Sequence, residues 1–324
     1  MIRRLTGGLP DWAQPNHPIL RHALGINQPR PRWQVRYGRA LAFVLIGASL
    51  LLIGYLTATN FLRRAPGENP VEAINNTLFI PLLVAQLLLR AFAVLLTSSI
   101  VADQIHRQNW DSLRATPSGA ELTLRARWAL VFYRLRGLLG TVIAVRIGLL
   151  LLMLYDLTAF QGRYLDLLIS GITPDVSLVI AVLLLALMMT AALLLPFTAV
   201  GFDASIGLLI AAQVRGRTLN TVLQVLYILL RVGLTVALLV LLFNFLRGGL
   251  FISGALAWLL IAAAAAVGDW GLSLLYLSRY GEIWAIVPYG ILIGLALLVF
   301  ALAQAAIVDQ LLLVAVRRAQ RNDS

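Results

Sequence analysis

The sequence predicts an all-α polytopic membrane protein, on the basis of its composition, its long apolar runs and their lack of strand-like alternation. Sixty per cent of the 324 residues are apolar, 12% are charged, and the mean hydropathy is +0.88. Apolar runs of about 20 residues can cross the ~30 Å hydrocarbon layer as helices. Only helices or closed barrels satisfy their backbone there, and these runs do not alternate as barrel strands do. A soluble globular domain is excluded.

Three regions follow from the distribution of apolar residues. Residues 1–39 are predicted to be a basic cytoplasmic leader with a short amphipathic element at the membrane surface. They contain seven arginines and no apolar core, so we do not expect a cleaved signal peptide. The transmembrane domain is predicted over 40–316, and residues 317–324 form a cytoplasmic tail.

Six spans are predicted within the transmembrane domain, near 40–61, 77–101, 137–156, 176–213, a fifth that ends at about 246, and 284–316. The fourth run is too long for one upright helix, and Pro196 predicts a kink within it. Residues 250–281 are predicted to enter the membrane and return to the same face, as a re-entrant pair before the last span. Division of the fourth run at Pro196 gives an eight-span alternative that leaves the termini on the same side.

The arginines support this topology, because all 26 basic residues are arginine. With six spans, 18 arginines are cytoplasmic, five are outside and three lie within spans, in agreement with the positive-inside rule. Both termini are then cytoplasmic. A net charge of +12 also occurs in nucleic-acid-binding proteins, but arginines that flank apolar spans favour membrane topology, so we expect no nucleic-acid partner. Without lysine the chain has no ordinary P-loop, so ATP-driven work needs a separate subunit.

Charged residues within the predicted spans are the next candidates for function: Arg90, Arg146, Asp203 and Arg231. Each costs ~2.5–3.5 kcal/mol on the insertion scale, so such residues usually have partners or a purpose. At ~1.5 Å per residue, all four lie roughly 14–17 Å from the cytoplasmic ends of their spans. We predict that Asp203 pairs with Arg231, with assistance from Asp309. Two interpretations stay open, namely ion pairing that fixes helix register and a basic vestibule for an anionic head group.

Catalytic and metal-binding patterns are not found in the sequence. The chain has no cysteine and three histidines, and it contains no HExxH pair. We therefore predict no metal site, no catalytic residue and no cofactor on this chain.

A polar segment with a tryptophan separates the second and third spans. If residues 105–115 are a short helix, Trp110 and Leu113 share one face. Thr116 precedes proline and so ends that helix, and Glu121 is placed to complete the capping box of the next one. A short helix across the cytoplasmic mouth of a bundle, followed by a sharp restart, indicates a mechanical contact with another protein.

The string Trp110-Asp-Ser-Leu-Arg-Ala-Thr-Pro117 resembles the same segment in the permease subunits of type-2 ATP-binding-cassette exporters. Their pattern is Glu-Arg-x-x-Gly-Thr-(Trp/Leu)-(Glu/Asp)-x-Leu-x-x-Thr-Pro. This chain departs from it by having Gln108-Asn109 in place of Gly-Thr, Asp103 or Gln104 in place of the upstream Glu, and Glu121 one residue early.

The resemblance implies six spans, an interfacial elbow before the first and a re-entrant pair before the last. It implies a coupling segment, 103–126, whose coupling helix docks in an ATPase subunit. The ATPase-coupling residues would be Asp103, Arg107, Trp110, Asp111, Leu113, Arg114, Thr116, Pro117 and Glu121. Trp110 and Leu113 would be the apolar anchors of this contact, with a polar rim around them.

The resemblance also implies the partners and the function. Two permeases, identical or related, would face one another, and ATP and Mg²⁺ would bind to the partner ATPase subunits. The expected function is that of a non-catalytic permease subunit of an ATP-driven exporter in a bacterial or archaeal plasma membrane. The alternative is an ion-coupled secondary transporter that uses the buried Arg and Asp charges.

Overall fold

The computed structural model describes residues 10–24, 33–56, 59, 70–106, 119–159, 177–214, 216–252, 254–268 and 292–321. Every regular element in these ranges is helical. A short 3-10 helix, Asp11–Ala13, is followed by α1 (Pro18–Ala23), α2 (Trp33–Leu56), α3 (Pro70–His106), α4 (Gly119–Ala159), α5 (Leu178–Gln213), α6 (Arg217–Leu246), α7 (Gly254–Gly268) and α8 (Ile293–Arg321). The predicted all-α class is confirmed for the described part of the chain.

Five of these helices are long and apolar enough to cross a membrane. Their apolar stretches are Ala73–Thr97, Glu121–Asp156, Leu178–Gln213, Thr218–Phe245 and Ile293–Ala319. The shortest has 25 residues, which at ~1.5 Å per residue is about 37 Å and exceeds the ~30 Å hydrocarbon layer. The chain is a multi-pass membrane protein.

Two shorter apolar helices fall where a first span and a re-entrant pair are predicted. In α2 the apolar part is Val44–Leu56, and residues 57–61 of the predicted span 40–61 lie outside the described residues, except for Thr59. The 15 residues of α7 extend about 22 Å, less than the hydrocarbon layer. The second half of the predicted pair 250–281 lies outside the described part, so six spans and a re-entrant pair stay predictions.

Helix α5 is the centre of the bundle and packs against α3, α4, α6 and α8. It continues as a single helix through Pro196, which excludes the eight-span alternative. Small residues allow close packing. A methyl group on Gly207 would lie 3.0 Å from the carbonyl oxygen of Val94 on α3. One on Gly294 of α8 would lie 2.6 Å from Cβ of Met188.

Several segments predicted to be cytoplasmic meet at one end of the bundle. A buried cluster joins the beginning of α4 to the ends of α5 and α8, through Leu124, Leu208, Ala211, Leu312, Ala315 and Ala319. Helix α1 packs on the same part of α4, because Leu20 contacts Ala126 and Leu130. A second cluster at the opposite end joins the end of α4 and the beginning of α5 to α7.

Candidate functional site

The predicted coupling residues lie where α3 ends and α4 begins. Asp103 belongs to the last turn of α3, and Glu121 belongs to the first turn of α4. The other seven coupling residues lie outside the described part of the chain: Arg107, Trp110, Asp111, Leu113, Arg114, Thr116 and Pro117. Glu121 accepts a hydrogen bond from Arg125 at 2.9 Å, in an i,i+4 pair that is partly exposed. This pair stabilises the first turn of α4 slightly, and the acidic group also suits a helix N-terminus.

Both helices are longer than a membrane span. The 37 residues of α3 and the 41 residues of α4 extend about 55 and 61 Å, against ~30 Å of hydrocarbon. The apolar stretch of α3 ends at Thr97, so about 13 Å of helix follows before His106. The first turns of α4 contain Arg125, Arg127, Arg134 and Arg136. Residues 107–118 therefore connect two helical extensions that leave the hydrocarbon at the same end of the bundle.

The N-terminal leader packs on the extension of α4. The side chain of Leu20 is fully buried against this helix. Tyr133 donates a hydrogen bond from its hydroxyl to the Ala13 carbonyl at 2.8 Å. Arg134 donates to the Ala23 carbonyl at 3.1 Å, at the end of α1 where carbonyls have no helical partner. The sequence predicted an amphipathic element here but gave no sign that its apolar side is covered by α4.

A buried ion pair lies inside the bundle. Arg90 on α3 donates from Nε to Oδ2 of Asp203 on α5 at 2.8 Å, and both side chains are almost fully buried. Tyr227 on α6 donates from its hydroxyl to Oδ1 of Asp203 at 2.6 Å. Both carboxylate oxygens therefore accept charge-assisted or strong hydrogen bonds.

The same arginine also holds the end of α7. Arg90 donates from Nη1 to the Val267 carbonyl at 2.8 Å. Val267 lies in the last turn of α7, where carbonyls lack helical partners and the helix dipole favours a cation. One guanidinium thus joins α3 to α5 and α7.

The predicted Asp203–Arg231 pair is wrong, because Asp203 pairs with Arg90 and accepts its second hydrogen bond from Tyr227. The reason is helix packing. Consecutive helices α5 and α6 contact each other only slightly, whereas α3 packs extensively on α5. Gly207 on α5 allows this close approach of α3, which places Arg90 near enough to pair with Asp203.

Arg146 is not part of the Arg90–Asp203 ion pair and binds α5 at a different position. Its side chain is completely buried and Nη1 donates to the Ala192 carbonyl on α5. In a regular helix that carbonyl would accept from the amide four residues later, but position 196 is proline and has no N–H. Arg146 therefore satisfies the carbonyl that Pro196 leaves without a helical partner. Sequence spacing could have indicated the free carbonyl but not which arginine fills it.

A small pocket, partly open to the surface, lies between α3, α5 and α6 beside the ion pair. Its polar lining is formed by Arg90, Asp203, Tyr227 and Arg231, and its apolar lining by Leu87, Ala91, Val94, Ile228 and Val232. The structure thus brings together three of the predicted intramembrane charges. Asp309 is exposed on α8 and does not line this pocket.

Tyr227 is the functional candidate that the sequence analysis missed. It belongs to a polar stripe on one face of α6, formed by Asn220, Gln224, Tyr227, Arg231 and Thr235. Their spacing of three and four residues puts them on the same side of the helix. That periodicity is visible in the sequence and was the available signal.

The described side chains around the pocket can form ion pairs and hydrogen bonds. Within the described ranges no group of three or more His, Cys, Asp or Glu side chains could hold a metal ion. Among the described lining residues, two arginines outnumber one carboxylate, so an anion suits this pocket better than a cation. No protein-family model, curated protein or solved structure matches the chain.

Proposed function

We propose that this chain is the permease subunit of a type-2 ATP-binding-cassette exporter, which couples ATP hydrolysis on a separate ATPase subunit to export. The observation that supports this most is the sequence of the segment Trp110–Pro117, which lies between the end of α3 and the beginning of α4. It connects two helices that extend beyond the hydrocarbon at the same end of the bundle. A docking element is expected at such an end, because force applied there acts directly on two spanning helices.

The packing of α3 on α5 would transmit this force to the centre of the bundle. In the proposed mechanism the coupling helix sits in a cleft of the ATPase, with Trp110 and Leu113 as apolar anchors. Closure of the ATPase would push α3 and α4 as rigid bodies. Helix α3 is tied to α5 by the Arg90–Asp203 pair and by the close contact at Gly207. Movement of α3 would therefore displace the centre of the bundle and alternate access to the transport path.

The proposed topology has six spans, with both termini in the cytoplasm and α2 as the first span. Helix α7 would be the first half of a re-entrant pair. Its length of 15 residues supports this, and so does its end beside Arg90, well inside the bundle. The N-terminal leader would be an interfacial elbow that is fixed to α4 through Leu20.

The proposed assembly contains two permeases and two ATPase subunits in a bacterial or archaeal plasma membrane. This chain contains no lysine for a P-loop, so the partner would bind ATP and Mg²⁺. The second permease would be an identical or a related chain. Helices α2 and α6 expose long rows of apolar side chains to lipid or to such a partner, for example Val44, Leu52, Leu226 and Leu230.

The second candidate is an ion-coupled secondary transporter. The observation that favours it is the carboxylate of Asp203, which is buried beside a pocket and held by Arg90 and Tyr227. Ionisable groups inside a membrane domain often mark ion pathways. Such a protein would transport without an ATPase subunit.

Co-purification and a Trp110→Ala variant test the proposal. A stoichiometric ATPase subunit should co-purify with the chain, and transport into sealed vesicles should require ATP. Removal of an anchor tryptophan should weaken ATPase docking by about 2 kcal/mol or more, roughly thirtyfold in affinity. Transport per ATP hydrolysed should fall while the amount of inserted protein is unchanged.

Trp33→Ala is the matched control, because Trp33 is an exposed tryptophan at the beginning of α2. It should leave docking and the coupling ratio unchanged. An unaltered coupling ratio in Trp110→Ala would contradict the docking role. Transport driven by an ion gradient in vesicles without ATP would favour the second candidate.

A further inference from the structure

Arg231 differs from Arg90 because its charge has no counterion in the described part of the chain. Its Nε and Nη2 atoms are both buried, and neither has a hydrogen-bond partner among the described residues. The two oxygens of Asp203 accept from Arg90 and Tyr227 instead. Among the described residues that line this pocket, two arginines and one carboxylate leave an excess positive charge.

The two free donors have a specific geometry. The Nε–H and one Nη2–H of a guanidinium lie parallel on the same edge, where they can bind two oxygens of a carboxylate or phosphate together. Arg231 lines the pocket between α3, α5 and α6. No hydrogen-bonding group of the described residues therefore pairs with the edge that would receive an oxyanion.

The pocket is also open to the outer surface of the bundle. Leu87 on α3 and Ile228, Arg231 and Val232 on α6 are all partly exposed. The apolar stretch of α6 that contains Arg231 has only 11% of its residues buried. An anion that reaches Arg231 from this side must cross an apolar surface, which favours an amphiphile over a free inorganic anion.

We propose that this pocket binds the anionic head group of a membrane amphiphile, with Arg231 as the bidentate receptor of a phosphate or carboxylate. The acyl chains would lie along the exposed leucines of α6, such as Leu229 and Leu230. Asn220 and Gln224, buried and hydrogen-bonded to each other at 3.2 Å, extend the polar stripe of α6 from its first turns towards Arg231.

This site does not depend on the energy source of transport, so its test uses the purified chain alone. The probes are phosphatidylglycerol, zwitterionic phosphatidylcholine and inorganic phosphate, each added to delipidated protein in detergent. Native mass spectrometry counts bound lipid, and thermal unfolding follows stabilisation. We expect saturable binding of phosphatidylglycerol, with no comparable binding of phosphatidylcholine and no stabilisation by inorganic phosphate.

Two variants of Arg231 test whether this residue binds the lipid or only stabilises the fold through an ion pair. Arg231→Leu should weaken phosphatidylglycerol binding about tenfold or more, whereas Arg231→Lys should retain part of it as a single-point cation. Arg247→Leu is the matched control, because it removes an exposed arginine just beyond the end of α6. It should bind phosphatidylglycerol as the unaltered protein does.

The lipid-free melting temperature distinguishes the two roles further. Arg231→Leu should leave it unchanged or raise it, whereas a structural ion pair would make it fall. Unchanged phosphatidylglycerol affinity in Arg231→Leu, or equal binding of phosphatidylcholine, would overturn the proposal. Inorganic phosphate could instead stabilise the protein in an Arg231-dependent way while phosphatidylglycerol has no effect. That result would overturn the proposal of an amphiphilic ligand and identify a soluble anion as the ligand.

Discussion

Asp203→Asn should destabilise the bundle, because it removes the carboxylate charge that pairs with Arg90 while it preserves side-chain shape. The side chains of Arg90 and Asp203 are 5% and 0% exposed, so water cannot replace the lost interaction. The amide keeps one acceptor for Arg90, and its NH₂ group can donate to the Tyr227 hydroxyl. Loss of one partner of a buried ion pair destabilises by about 3–5 kcal/mol, and we expect the lower value for this isosteric change.

The assay is thermal unfolding of purified protein in detergent, followed by loss of the monodisperse peak in size-exclusion chromatography. A loss of about 3 kcal/mol corresponds to a fall of roughly 6–12 °C in melting temperature. Asp309→Asn is the control, because Asp309 is exposed and should change stability by less than about 0.5 kcal/mol.

A double-mutant cycle isolates the pair from the single residues. Arg90→Met should destabilise as strongly as Asp203→Leu, since each leaves one buried charge. The double variant should recover most of the loss, because apolar replacement of a whole buried pair is often neutral. The reasoning is refuted if Asp203→Asn melts like Asp309→Asn, or if the losses of the two single variants simply add.

Three further predictions concern helix packing and topology. Arg146→Met should lower the melting temperature. The loss should be smaller in a Pro196→Ala background, because the restored N–H of residue 196 can bond the Ala192 carbonyl. Equal losses in both backgrounds would contradict the bond between Arg146 and this carbonyl. Gly207→Val should destabilise by about 1–3 kcal/mol in the same assay, because its side chain meets the backbone of α3. Gly216→Cys, in a chain without native cysteine, should react with an impermeant thiol reagent only from the cytoplasmic side, and labelling of intact cells from outside would overturn the topology.

The class of the fold could be predicted because hydrophobicity alone determines which segments cross a membrane. The described helices α3, α5 and α8 lie where the apolar runs place them. The six-span prediction had α5 continuous through Pro196, but the sequence left its division there open as the eight-span alternative. The continuity depends on a carbonyl being satisfied by Arg146, which belongs to another helix.

The partners of buried charges were harder to predict than the spans. Depth along a helix is a one-dimensional quantity, and it correctly placed Arg90, Asp203 and Arg231 near one another. It gives no information about which helices are neighbours in the membrane plane. The pairing of Asp203 depends on the close packing of α3 and α5 at Gly207, which only the three-dimensional structure reveals.

The two arginine contacts of α5 constrain the order of biogenesis. Arg90 and Arg146 are synthesised before Ala192 and Asp203, and their bonds to α5 span 113 and 46 residues of sequence. During translation, the bonds of Arg90 and Arg146 to α5 cannot form until α5 emerges from the ribosome. The packing of α3 and α4 against α5 is therefore completed only after all three helices have been made.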